Sequence, residues 1–269
     1  RGRAMFGALK RRLGRGIAAY LSQPIHDYQP FCTYDVPVLE SHLRPADILL
    51  VDGNTRISTA IKYLTQSTWS HSAFYAGDAV KRFTEDGEAC PLIEAELLLG
   101  VVASPLSKYR ELNTRICRPV GLSDADRDEL VSRMVGSIGL DYDLQNVVDL
   151  ARYLCPVLPM PARLRRRLIA FGSGEPTRAI CSTLIAEMFQ SIHYPILPRI
   201  EKKTVLAKYH YSVREILHIK HHSLFTPRDF DVSPYFRVLK PTVESGFDYR
   251  AVRFDHSEAD AESAAADAR

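Results

Sequence analysis

The spacing of apolar and polar positions changes several times along the 269-residue chain, and each change marks an element. Near the start, AMFGALKRRLGRGIAAYL (4–21) places Met5, Leu9, Leu13, Ile17 and Leu21 on one stripe, with Lys10, Arg11, Arg12 and Arg15 mostly off it. That spacing predicts an amphipathic basic helix, weakened by Gly7, Gly14 and Gly16. After a Pro-containing connector, short apolar runs take over. DILLVD (47–52), closed by Gly53-Asn54, reads as a buried strand and turn. In RISTAIKYLT (56–65), Ile57, Ile61 and Leu64 share a helical face. HSAFYAG (71–77), LIEAELL (92–98) and TRICRPV (114–120) read as three further strands.

Ser123 then opens SDADRDELVSRMVGSIG, a capping serine and first-turn acids ahead of apolar positions at helical spacing. A second helix is expected from about Leu144 to Leu154, stopping before Pro156. Residues 156–176 carry Pro156, Pro159, Pro161 and Pro176 around RLRRRLIAF and read as an insertion or lid. CSTLIAEMFQSI follows as a helix with Leu184, Ile185, Met188, Phe189 and Ile192 on its core face. Beyond Pro198 the pattern is less regular, with a helix expected near 212–220 and a strand at 235–239. No internal repeat is present.

Composition narrows the class. With 46% hydrophobic and 25% charged residues the chain can build one large core or two small ones, which excludes disorder for its bulk. It holds no apolar run of spanning length and no secretory leader pattern, so the expected location is the cytoplasm. The net charge of +3 is a sum of unlike parts: residues 1–26 carry +6 and residues 255–269 carry −4. The middle of the chain is therefore near neutral, which argues against a nucleic-acid partner. The expected organisation is a basic helix at 1–26, one catalytic domain at 27–254, and an acidic disordered tail at 255–269. The basic helix reads either as packed on its own domain or as lying on an anionic membrane surface, peripheral to the inner face.

The five cysteines, Cys32, Cys90, Cys117, Cys155 and Cys181, form no C-x-x-C pair and suit a reducing compartment. Cys181 differs from the rest because it follows the loop GSGEPTRAI and opens a helix. There the positive end of the helix dipole favours thiolate, and free N–H groups of Cys181 or Ser182 can face an oxyanion. Its base is sought among nine histidines; His71 opens an apolar strand and is held as a general base should be. On that strand His71, Ala73 and Tyr75 share one face and Ser72, Phe74 and Ala76 the other. Glu94 and Glu96 share a face of the next strand, and either carboxylate is placed to orient an imidazole. HIKHH (218–222) lacks a paired acid or cysteine and is a weak metal signal. No phosphate-binding glycine loop is present.

Four stretches together resemble a known family: RPADILLVDGNTRISTAIKYLTQSTWSHSAFYAG, LIEAELLLGVVASPLSKY, GLDYDL and RAICSTLIAEMFQ. They are similar to YiiX/YebB-type members of the NlpC-like papain superfamily, circularly permuted cysteine hydrolases in which the histidine strand precedes the cysteine helix. His71 precedes Cys181 here, and the resemblance spans roughly residues 45–195. It implies an α+β, circularly permuted papain-like fold, with an antiparallel sheet or barrel packed against helices and the cysteine at a helix N-terminus. It further implies Cys181 as nucleophile, His71 as base and Glu94 as third member, with Glu96 the substitute. No metal or organic cofactor is then required. The activity implied is thiol-dependent hydrolysis of an amide, peptide-like or cell-wall-derived. The alternatives are lipid acyl hydrolysis or transfer, as in the related lecithin retinol acyltransferase, and a non-catalytic binding module.

Overall fold

The computed structural model describes residues 16, 19–25, 28–31, 33–96, 99–140, 180–207, 210–218 and 221–251. Most of the N-terminal stripe, the helix expected at 144–154, Tyr142-Asp143, the 156–176 insertion and the acidic tail lie outside them. The chain divides into two units, residues 1–239 and 240–269. In the second, the described residues form a short helix at Pro241–Glu244 and a 3-10 turn at Tyr249–Ala251.

Among its described residues the first unit contains eight strands: β1 (Ile48–Asp52), β2 (His71–Tyr75), β3 (Leu92–Glu96), β4 (Gly100–Ser104), β5 (Asn113–Pro119), β6 (Arg199–Ala207), β7 (His210–His218) and β8 (Phe236–Leu239). Six of them form an open antiparallel sheet in the order β4-β3-β2-β1-β5-β8, so of the two expected forms, sheet and barrel, the sheet is observed. The helices are α1 (Val36–His42), α2 (Arg56–Thr65), α3 (Asp124–Gly136), α4 (Ile180–Ser191) and α5 (Pro227–Asp231). The class is α+β.

All five residues of β1 are buried, which is why ILLV (48–51) is continuously apolar instead of alternating: the sheet is covered on both faces. One face carries Ile48, Leu50, Phe74 and Ile93, packed with Leu130 and Met134 of α3 and Leu184, Ile185 and Phe189 of α4. The other carries Leu49, Val51, Ala73 and Leu92, packed with Leu39 of α1, Leu43, Leu106 and Tyr109. Successive residues of β2 therefore serve opposite cores, and the expected split of that strand into two faces is observed. α3 begins where Ser123 accepts a hydrogen bond from the Asp126 N–H at 3.1 Å, with Asp124 and Asp126 in its first turn.

Several stretches differ from the sequence reading, β6 and α5 among them. The helix expected near 212–220 is instead β7, paired antiparallel to β6 with Val205 opposite Ser212 and Thr204 opposite Val213. Val213, Ile216 and Leu217 do recur at helical spacing. Yet two β-prone segments separated by only two residues favour a hairpin, and pairing overrides the local period. β4 was not expected; it pairs with β3 along its full length, Glu94 opposite Val102 and Glu96 opposite Gly100. α1 lies within what read as connector, started by Asp35 and a proline in its first turn.

Candidate active site

β1 ends at Asp52, and the chain turns through Gly53 into α2, where Thr55 caps the helix by accepting from the Ser58 N–H at 3.2 Å. The turn has no room for a side chain, since a Cβ on Gly53 would lie 2.3 Å from Ser58 Oγ and 2.9 Å from Ser70 Oγ. The Gly53 N–H donates to Ser70 Oγ at 3.0 Å, tying the turn to the residue before β2. His71 is thus the first residue of a strand whose entry is fixed, in register opposite Val51.

His71 and Glu94 project from the same face of the sheet, and His71 Nε2 meets Glu94 Oε2 at 2.5 Å. Of the two carboxylates left open by the sequence, Glu94 is the one bonded to the imidazole. Glu96, on the same face, bonds Lys108. Cys181 reaches the group from the opposite face: it lies in the first turn of α4, which packs against β2 and β3. His71 and Cys181 also act directly on each other's charge. Ser72, next along β2 and facing α4, is fully buried and sits 3.2 Å from Ser182 Oγ. Its amide and hydroxyl both favour the Cys181 thiolate.

The charges follow from this packing. Burial alone would raise the Cys181 pKa, but His71 and the Ser72 donors override it and bring the thiol down to about 7. Burial alone would lower the His71 pKa, but the Cys181 thiolate and Glu94 raise it to about 10. Glu94, against burial, is held well below the usual carboxylate range by His71 and Lys108. The three groups therefore favour a thiolate, an imidazolium and a carboxylate in sequence. Cys90 and Cys117 behave oppositely, since burial pushes both thiols up. Among the described cysteines, Cys181 alone is shifted toward thiolate.

Two residues in this group were not singled out from the sequence. Tyr109 donates its hydroxyl to Glu94 Oε2, and Lys108 Nζ donates to Glu94 Oε1 at 2.6 Å and to Glu96 Oε1. Both come from the 3-10 turn Leu106–Tyr109 that follows β4. The Tyr109 ring also backs the imidazole, with centroids 6.1 Å apart.

Cys181, His71, Glu94 and Lys108 open onto a cleft of about 550 Å³. Its lining includes the apolar side chains of Val51, Ile57, Ile61, Leu99 and Leu112. Ile57 and Ile61, which share a helical face, are half-buried, and Leu99 is exposed. Among the described residues no group of three metal-ligating side chains occurs, and the His221 and His222 rings of the HIKHH stretch lie against each other with centroids 4.1 Å apart.

No protein-family model matches the chain, and no curated protein matches it. Among solved structures it is similar to the metalloprotein YiiX from Escherichia coli O157:H7, at 13% identity and a TM-score of 0.41, over 73% of this chain and 96% of that one. No described helix is long and apolar enough to cross a membrane.

Proposed function

We propose that the chain is a thiol-dependent acyl-transfer enzyme, a hydrolase of the permuted papain-like kind, with Cys181 as nucleophile, His71 as acid and base, and Glu94 as the group that orients and charges the imidazole. The observation that carries this reading is the grouping of Cys181, His71 and Glu94, in which His71 is hydrogen-bonded to Glu94 and the thiol is lowered while the imidazole is raised. Cys181 Sγ bonds to the substrate carbonyl carbon, with the oxyanion held by the backbone N–H of Cys181 or Ser182 in the first turn of α4. The bond to the leaving group breaks as His71 gives that group its proton. Water then attacks the thioester, passes a proton to His71, and releases the acid and the thiol. No step of this sequence calls on a metal or an organic cofactor.

The bond cleaved is an amide in the first reading, in a peptide-like or cell-wall-derived substrate. A specific observation favours a second: the apolar side chains of Ile57, Ile61, Leu99 and Leu112 in the cleft that Cys181 lines suit an acyl chain, as a lipid acyl hydrolase or acyltransferase requires. The basic residues 1–26 would then hold the enzyme on an anionic membrane surface from the cytoplasmic side. The test is turnover of peptide p-nitroanilides and of medium-chain acyl thioesters by the full chain beside Cys181→Ala. Turnover of either class by the full chain, and none by the variant, is expected. Equal turnover by both proteins, or a Cys181 that iodoacetamide labels no faster than Cys90, overturns the reading.

A further inference from the structure

A fully buried carboxylate requires donors, and Glu94 has three: His71 Nε2 and the Tyr109 hydroxyl on Oε2, and Lys108 Nζ on Oε1. Only the first belongs to the proposed reaction. The other two come from adjacent residues of one 3-10 turn, so a single turn delivers a neutral donor and a cation to the same group. We propose that Lys108 and Tyr109 are positioning residues of this site: Tyr109 fixes the carboxylate on Nε2 of His71, and Lys108 divides the carboxylate's charge between itself and the imidazole. This rests on the reading of Cys181 and His71 given above and adds to it what sets the strength of His71 as an acid.

The reasoning is electrostatic. The charged and titratable groups around the imidazole are Cys181 from α4 and Glu94 from β3, which act on it directly, Tyr109 beside it, and Lys108 and Glu96, which are joined to it through Glu94. Three of these carry negative charge when the thiolate has formed, and Lys108 is the one described cation among them. Unopposed, three anions would bind the imidazolium proton so firmly that it would be slow to pass to a leaving group. Lys108 is like-charged with the imidazolium and weakens that hold. Its own place is secured by Glu96, which accepts a second hydrogen bond from the same ammonium. Tyr109 stays protonated because burial and the neighbouring carboxylates push its pKa well above the usual phenol value, so it remains a donor throughout.

The experiment is a pH titration of the His71 ring by carbon-13 histidine NMR in the full chain, with His71→Gln supplying the assignment. Lys108→Met should raise the His71 midpoint by about one pH unit, and Lys108→Arg should return it toward the wild-type position. Glu96→Gln should move it the other way, since it removes an anion and leaves more of Lys108 for Glu94. Tyr109→Phe should broaden the His71 signal or change its tautomer pattern while leaving the charge balance nearly as it was. General loosening of the site would move Lys108→Met and Glu96→Gln in the same direction. That result, or a midpoint unmoved in either variant, overturns the proposal. If Lys108→Met does not fold, Glu96→Gln and Lys108→Arg decide it alone. Failure of the underlying reading looks different: wild-type Cys181 would then alkylate no faster than Cys90, whatever His71 does.

Discussion

Replacing His71 by Gln tests the link between the imidazolium and the thiolate, and its size can be worked from the structure. With the Cys181 pKa at about 7, half of the thiol is ionised at neutral pH. Without the imidazolium the reference for the thiol is its ordinary value of 9.0, with burial raising it from there and Ser72 lowering it. A shift of about two pH units is about 2.7 kcal/mol and leaves about one molecule in a hundred as thiolate at pH 7. That is a loss of about fiftyfold in thiolate. The more basic thiolate is also the better nucleophile, and with a Brønsted slope of about 0.45 it recovers about eightfold. The net fall in iodoacetamide alkylation at pH 7 is therefore about sixfold, while the midpoint of the rate against pH moves up by about two units. Peptide mass spectrometry after timed alkylation reads both, with Cys90 and Cys117 as references within the same chain. His71 is partly exposed, at 22% of its side chain, so the substitution leaves the cores intact. A midpoint within half a unit of wild type, in a variant with unchanged circular dichroism, would refute the idea that His71 charges Cys181.

Other outcomes follow from the same geometry. Turnover should be bell-shaped in pH: it rises as Cys181 loses its proton through about 7 and falls as His71 loses its own through about 10. A rate still climbing above pH 11 would show that His71 is not the acid. Gly53→Ala should destabilise the chain by about 1–3 kcal/mol through the clash with Ser58 and Ser70, lowering the melting temperature by several degrees. A melting curve unchanged within a degree would mean that the β1–α2 turn relaxes freely.

The parts of the fold that were legible in the sequence are those whose local pattern and tertiary role agree. α3 and α4 carry apolar faces at helical spacing and bury them, and β1 is continuously apolar because it is covered on both sides. The failures are places where a partner decides. Val213, Ile216 and Leu217 would serve a helix, but β6 lies two residues upstream and takes the segment into a ladder. α2 shows the converse: its Ile57 and Ile61 have the spacing of core residues, yet they line the cleft. Periodicity reports that a face is apolar and does not say what covers it.

The same distinction governs the site. Cys181 and His71 stand out in the sequence because each lies in the opening turn or residue of a regular element, where backbone geometry restricts what a side chain can do. Glu94 was narrowed only to a pair with Glu96, since period two places both on one face, and only the hydrogen bond to His71 Nε2 in the folded chain singles out Glu94. Lys108 and Tyr109 carry no local signal, as LSKY is an ordinary turn sequence. Their place depends on the β3–β4 hairpin, which reverses the chain and sets the residues after Ser104 back over Glu94. A physical question would still have led toward them. A carboxylate in the apolar stretch LIEAE must be paired when buried, and one histidine satisfies only part of its hydrogen-bonding capacity. The remaining donors must come from the next segment to fold across that face, and in this chain the first cation of that segment is Lys108.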